Sequence, residues 1–288
     1  MAENKICVTT DCVCDLPDEI LKKNNVDLIY FYIETDSGRF KDVDEITAQN
    51  VFDYLRNGGG KTVTEAPPSE EFVSFFTEKL RTCDEVIHLS ISSKISKSVS
   101  NALHALEMMG DMGSRVHVID SQHLSTGIGH MVLRAAEMAR AGADSKQIIA
   151  ELENMRDRIS TSFMADNTNF LYLNEQVSKG VHKICTMFNI HPVLGMKDGY
   201  LKLKACYMGN YSKSAARYIR AELKSGRKIK SNRLFITHAG CRTSDIKMVK
   251  NEVNRIMKFD EIMVTNASAT ISSNSGPRTF GLLYIKEQ

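Results

Sequence analysis

The sequence predicts an α/β chain in two parts. A mainly parallel sheet flanked by helices occupies residues 1–160, and an α+β unit occupies 161–288. Three observations lead there. Short apolar runs alternate with segments of helical periodicity up to about residue 160, and repeated strand–helix–strand order builds a parallel sheet with helices on both faces. Beyond that point the Asp198-Gly199 pair joins two strand-like runs as a hairpin, with single helical segments following. The small polar residues of the first part also fall at the carboxyl ends of its strands, where open parallel sheets place their ligands.

Ile6 to Thr10 reads as the first strand, entering the turn from Asp11 to Pro17. Asp15 reads there as an N-cap with Pro17 near the first helical position, and the helix ends near Asn24-Asn25. Asp11, at the strand end, is a candidate site residue. Val26 to Glu34 reads as one strand, turned back at Asp36-Ser37-Gly38 into a hairpin ending near Asp42. Asp44 to Leu55 is a helix closed by Gly58-Gly59-Gly60. The segment from Lys61 to Pro68 is extended because of its two prolines, and Ser69 caps a helix carrying Phe72, Phe75 and Phe76.

The next stretch organises the first part. Val86 to Ile91 reads as a buried strand that turns, through Ser92, Ser93, Ser96 and Ser98, into a helix with Val99, Ala102, Leu103 and Leu106 on one face. Free backbone N–H groups at a helix start suit an oxygen anion, carboxylate or phosphate. A cap needs one serine, and here there are four. Val116 to Ile119 is a strand ending at Asp120-Ser121. Ser125-Thr126-Gly127-Ile128-Gly129-His130 enters a helix with Ile128, Met131, Val132, Ala135 and Ala139 on one face. The third glycine of a dinucleotide fingerprint is missing, so these glycines read as close helix packing. A helix from Ser145 to Ile159 aligns Ile148, Leu152, Met155 and Ile159.

In the second part Ser162 to Asp166 reads as a strand and Asn167 to Leu173 as a short helix. Thr186 to Leu194 leads into the hairpin, whose second strand is Tyr200 to Tyr207. Ser212 to Lys224 is a helix with Gly226 past its end; Lys224 to Arg233 reads as that helix end and a loop. Strands at Leu234–Thr237 and Ile262–Thr265 flank a helix from Ser244 to Met257. Asn274 to Arg278 reads as a loop before a last strand, Phe280 to Ile285.

Hydrophobic residues make up 42% of the 288, and formal net charge is +2. No basic run forms a nucleic-acid patch, no apolar run reaches membrane-spanning length, and the N-terminus carries no apolar signal core. These features predict a soluble cytoplasmic protein. The seven cysteines, at 7, 12, 14, 83, 185, 206 and 241, are an odd and scattered set that does not read as a disulfide framework. Cys12 and Cys14 could be joined by His182 and Cys185, but no second pair stands at zinc-site spacing, so neither metal nor cofactor is expected.

The motifs together resemble the DegV family of bacterial fatty-acid-binding proteins, along essentially the whole chain. Thr10-Asp11-Cys12 with Asp15-Leu16-Pro17 matches the family's opening TDS-x-x-DLP, and Thr64 to Phe72 its TS-x-PS element. Ile91 to Ser98 matches ISS-x-x-SGT, and Asp120-Ser121 with Ser125 to Gly129 matches a DS followed by S-x-G-x-G. Pro192 to Gly199 matches PVL-x-x-x-DG, and Asn274 to Arg278 a loop before the last strand. The resemblance implies two α/β domains with a ligand tunnel between them and one long-chain fatty acid held there without catalysis. It implies a carboxylate held by Thr64 and Ser93, with position 274 nearby and Asp11, Ser92, Ser96, Asp120, Ser121 and Gly276 in support. It also implies, for some members, a fatty acid kinase that receives the presented chain. This sequence departs at Asn274, where the family has histidine, at Cys12, at Ser96-Lys97-Ser98, and at Lys179-Gly180-Val181-His182, where an arginine is lost. The competing reading is a hydrolase or phosphotransferase built on Ser92 to Ser98, with His88 or His238 as base. It lacks both the G-x-S-x-G elbow and the phosphate-loop motif.

Overall fold

The computed structural model describes residues 5–174, 177–224 and 228–287. The first part comprises β1 (Ile6–Asp11), α1 (Asp18–Lys23), β2 (Val26–Ile29), β3 (Tyr32–Thr35), β4 (Gly38–Lys41), α2 (Ala48–Arg56), β5 (Val63–Glu65), α3 (Ser69–Lys79), β6 (Glu85–Ser90), α4 (Ser98–Met109), β7 (Val116–Asp120), α5 (Thr126–Arg140) and α6 (Ser145–Arg156). The second comprises β8 (Ile159–Met164), α7 (Asn169–Leu173), α8 (Lys179–Met187), β9 (Ile190–Lys197), β10 (Tyr200–Met208), α9 (Tyr211–Leu223), β11 (Ile229–Ala239), α10 (Thr243–Ile256), β12 (Glu261–Asn266), α11 (Ala269–Ser275) and β13 (Thr279–Lys286).

A parallel four-stranded sheet, ordered β2-β1-β6-β7, forms the first lobe. A mixed six-stranded sheet, ordered β10-β9-β8-β13-β11-β12, forms the second. Among the described residues its only parallel pair, β11 with β12, is bridged by α10. A small antiparallel sheet, β4-β3-β5, stands apart from both.

Helix α5 is what the two lobes share. It packs against β1 and β6 on one side and β8 and β13 on the other, and Ile128, Met131 and Val132 join one core with Leu89, Phe235 and Leu283. The glycine pair at its start is packed as expected. A Cβ at Gly127 would run into the Thr161 hydroxyl, and one at Gly129 into Leu16.

Several expectations change. The single strand from Val26 to Glu34 is two strands in two sheets. The backbone leaves the first ladder at Phe31, whose N–H donates to Cys12 Sγ at 3.2 Å and whose carbonyl accepts from Asp42 N at 2.8 Å. The next helix starts at Ala48, not Asp44, because Thr47 and Asn50 form a capping box. Leu103 is 47% exposed, and Ala105 and Met109 instead complete the buried face of α4. Ile159 opens β8 rather than ending a helix. Helix α8 was not anticipated, and half of the basic stretch from Lys224 to Arg233 belongs to β11. Gly226 lies outside the described residues. Asn274 sits on helix α11, not in a loop. Cys7 and Cys83 are joined in a disulfide tying the start of β1 to the turn before β6, a pairing their scattered spacing had not suggested; the other five cysteines are free. Among the described residues no helix is long and apolar enough to cross a membrane.

Candidate functional site

A cavity of about 1220 Å³ lies between the lobes, lined by residues of both. Thr64, Ser93, Ser96 and Asn274 all line it, so four positions from one strand, one turn and one helix meet in one space. Strand β10 gives it length. Lys94, in the serine turn, places its Nζ 5.8 Å from the centroid of the Tyr200 ring. Tyr200, Leu203 and Cys206 all line the cavity, and from the first to the last the strand advances roughly 20 Å. Leu171, Val181, Cys185 and Leu194 line it too, so α7, α8 and β9 supply apolar wall. A polar group of hydroxyls, an apolar gallery and the cationic Arg39, Lys94 and Lys97 make a space suited to an amphipathic anion.

Thr64 is set by β5, where it pairs with Ile33 of β3. Among the described residues its hydroxyl has no hydrogen-bond partner. Ser93 donates its hydroxyl proton to Asp120 Oδ2 at 2.5 Å, and its backbone N–H meets Asp120 Oδ1 at 3.2 Å. Asp120 thus orients the serine from behind and does not itself line the cavity. Asn274 donates one Nδ2 N–H to the Thr270 carbonyl at 2.9 Å, leaving its second N–H and Oδ1 uncommitted. Ser96 accepts from the Ser98 N–H at 3.2 Å.

The remaining predicted residues are scaffolding. Asp11 is fully buried and accepts from Ser90 Oγ, Ile91 N and Ser98 Oγ at 2.7–2.8 Å. It therefore fixes the end of β6 and the start of α4. Ser92 donates to the Gly199 carbonyl at 2.7 Å across the lobes. Gly199 has φ +79°, and a Cβ there would press on Ser92 Oγ and Lys94, so the hairpin tip meets the serine turn through a glycine. Ser121 is buried and exchanges hydrogen bonds with the His123 backbone. Gly276, at φ +83°, ends α11 against the Phe170 ring.

Two carboxylates that place the site escaped sequence reasoning. Asp15 is not a helix cap; α1 is preceded by Pro17. Its carboxylate instead accepts from Ser125 Oγ at 2.5 Å and from Ser268 N, across the lobes, at 2.8 Å. Asp42, fully buried, accepts from Ala269 N and Thr270 N, both at 2.8 Å. Together they hold the N-terminal end of α11 and so aim Asn274. Burial pushes the Asp15 carboxyl up to about 7, against the pull of its Ser125 and Ser268 hydrogen bonds. Burial raises Asp42 as well. No local pattern marks either contact, since each joins residues more than 220 apart in sequence.

Among the described residues no three His, Cys, Asp or Glu side chains gather as a metal site. Cys12 and Cys14 are buried in the first lobe, while His182 stacks on Tyr172 and bonds Thr168 in the second. Neither candidate base reaches the serine turn. His88 is bonded to Thr9 Oγ1 at 3.0 Å, and His238 lines a separate, smaller chamber.

Comparison with known proteins places the architecture. The chain is 28% identical to a DegV domain-containing protein of Caldanaerobacter subterraneus subsp. tengcongensis, covering 97% of this chain and 98% of that one. It superposes with a TM-score of 0.85 on a DegV family protein from Thermus thermophilus, described for its fatty acid binding, at 28% identity over 98% of this chain and all of that one. The fold is shared with a DegV family protein from Eubacterium eligens loaded with heptadecanoic acid, with a TM-score of 0.85 at 17% identity, again covering 98% and 100%. The model of a family described as "Uncharacterised protein, DegV family" matches residues 5–287, the span that carries both lobes and every loop of the cavity, and the chain belongs to the DegV family.

Proposed function

We propose that this protein is a soluble, cytoplasmic, non-catalytic carrier. One long-chain fatty acid lies in the interlobe cavity, with its carboxylate at Thr64, Ser93 and Asn274, and its tail runs along β10 toward α8. Lobes spanning 1–160 and 161–288 close on it from either side. The observation that carries this reading is the cavity itself, hydroxyl-lined near the serine turn and apolar along its strand. The Thermus relative, described as binding fatty acid, supports it.

The energetics are consistent. A buried C16 tail gains roughly 12 kcal/mol gross at about 0.8 kcal/mol per methylene, much of which ordering and association remove. The head group adds orientation. Ser93 donates its hydroxyl proton to Asp120, and a rotation of the hydroxyl redirects it to a fatty-acid carboxylate. Asp120 then keeps two backbone donors, Ser93 N at 3.2 Å and Gln122 N at 2.9 Å. The Ser93 hydroxyl is hydrogen-bonded to a carboxylate and not to an imidazole, so the serine–histidine pair of a hydrolase is not formed at this turn, which supports binding over nucleophilic attack. Presentation of the head group to a fatty acid kinase is the further step of this reading.

Native mass spectrometry of the purified protein tests the reading. The expected result is one fatty-acid mass per chain, released on denaturation. Empty protein that also takes up no added palmitate or oleate would overturn it. Formation of acyl phosphate with a kinase and ATP, dependent on this protein, tests the presentation step.

A further inference from the structure

Behind the main cavity lies a second chamber of about 30 Å³. Its polar lining can be accounted for group by group. Ser125 donates to Asp15, and Thr161 Oγ1 is bonded to His123 Nδ1 at 3.1 Å. Ser162 Oγ is bonded to Tyr218 at 2.9 Å, and Thr237 Oγ1 to Thr126 and Thr265 at 2.7 and 2.8 Å. Thr279 donates to the Ser275 carbonyl at 2.9 Å. Two lining groups are left. His238 Nδ1 and Ser275 Oγ are buried, and among the described residues neither has a partner. Buried polar atoms are satisfied as a rule, by protein or by water. The chamber has room for one or two waters.

Ser275 lines both spaces, and Leu124, Phe163 and Ile271 form shared wall. Asn274, its neighbour, spends one of its two Nδ2 N–H groups on the Thr270 carbonyl and keeps a single amide donor beside its Oδ1. A carboxylate there needs donors, and an orphaned hydroxyl on the next residue can give one.

We propose that the chamber is a buried water site forming the back of the head-group pocket, in a chain running from His238 Nδ1 through water to Ser275 Oγ and on to the ligand carboxylate. Ser275 touches the head group; His238 is a positioning residue that acts through the water. Burial lowers the His238 pKa, which keeps the ring neutral and able to serve as either partner of the water. The inference rests on the fatty-acid reading and adds two residues to it.

The test compares palmitate with 1-hexadecanol, equal in chain length and lacking the carboxylate, on wild-type protein and on Ser275→Ala, His238→Leu and His238→Asn. A crystal structure of the wild type with palmitate accompanies it. Ser275→Ala and His238→Leu are expected to weaken palmitate by roughly threefold to tenfold and to leave hexadecanol unchanged. His238→Asn, which keeps a polar atom near the Nδ1 position, restores palmitate binding, and the chamber shows ordered water. Equal losses for both ligands, unchanged palmitate affinity, or a dry chamber would overturn the proposal. Wild-type protein that takes up neither ligand would instead overturn the fatty-acid reading. In that case ordered water on His238 and Ser275 in the unliganded crystal still supports the buried site, and its absence rejects it.

Discussion

At the scale of single residues the side chains that line the cavity are distinct from those that hold them in place. Thr64 and Ser93 both present hydroxyls to the space, and neither carries core packing. Hydrogen bonds to a charged group are worth about 1.5–3 kcal/mol each. The Thr64→Ala, Ser93→Ala double variant should therefore bind palmitate at least about a hundredfold more weakly while its melting temperature stays near wild type. Fluorescence displacement beside a thermal melt measures both, and equal affinity would remove the carboxylate from these two residues. Asp15 belongs to the aiming set, and its titration makes a second prediction. Its folded pKa of about 7 lies above the ordinary carboxylate value. The folded state therefore keeps a proton that the unfolded chain releases between about pH 4 and 7. Stability contributed here is present at the acid end and is lost as pH rises through that window, by roughly 4 kcal/mol in the limit. In Asp15→Asn the amide oxygen still accepts from Ser268 N and the amide nitrogen can donate to Ser125, without a charge. Urea midpoints of the two proteins should diverge from pH 5 to pH 8 in favour of the variant. Parallel pH profiles would show that Asp15 does not titrate in this range.

At the scale of elements, α11 decides where the polar wall of the cavity stands. It is a seven-residue helix whose first N–H groups are bound by carboxylates from the other part of the chain. Asp42→Ala would strand two buried N–H groups at about 1–3 kcal/mol each. It should lower stability by roughly 2–6 kcal/mol and also weaken palmitate binding, although Asp42 does not line the cavity. Asp42→Asn keeps one acceptor and should fall between. A destabilised Asp42→Ala protein with wild-type affinity would mean that α11 holds its place without the tie. This helix also shows what the sequence can and cannot tell. The strand–helix alternation of the first lobe was legible because each element carries its own periodicity, as Ile128, Met131 and Val132 do on α5. The Asp198-Gly199 turn was legible because φ +79° at Gly199 has a local chemical signature. Ser93 was legible in the serine-rich turn at a strand end, Thr64 only through motif resemblance, and Asp42 not at all, because a carboxylate that binds backbone 227 residues away leaves no local trace. Helix α8 was missed for another reason. Val181 and Cys185 face the cavity while Ile184, Met187 and Phe188 are exposed, so no clean polar face announces a surface helix.

At the scale of the whole molecule the two lobes are coupled too closely to behave as independent units. Helix α5 lies in a core common to both sheets. Ser92 with Gly199, Asp15 with Ser268, Thr126 with Thr237 and His130 with the Leu283 carbonyl each cross from one lobe to the other through buried groups. Separating the lobes would leave these groups unpaired, at about 1–3 kcal/mol for each stranded partner. Ligand-free protein should accordingly melt in one transition. The cavity has walls from both lobes, so a ligand in it binds the folded pair and not the unfolded chain, and the whole transition should move with occupancy. At a free palmitate concentration a hundred times Kd the gain is about 2.7 kcal/mol, which for a chain of this length corresponds to roughly 4–5 °C in Tm. The shift should grow logarithmically with palmitate and shrink in the Thr64→Ala, Ser93→Ala protein in proportion to the logarithm of the ratio of the dissociation constants. Differential scanning calorimetry across a palmitate series measures this directly. One peak moving as a unit is the expected result. Two peaks, with only one of them responding, would place the ligand within a single lobe and break the link between the interlobe cavity and lipid binding.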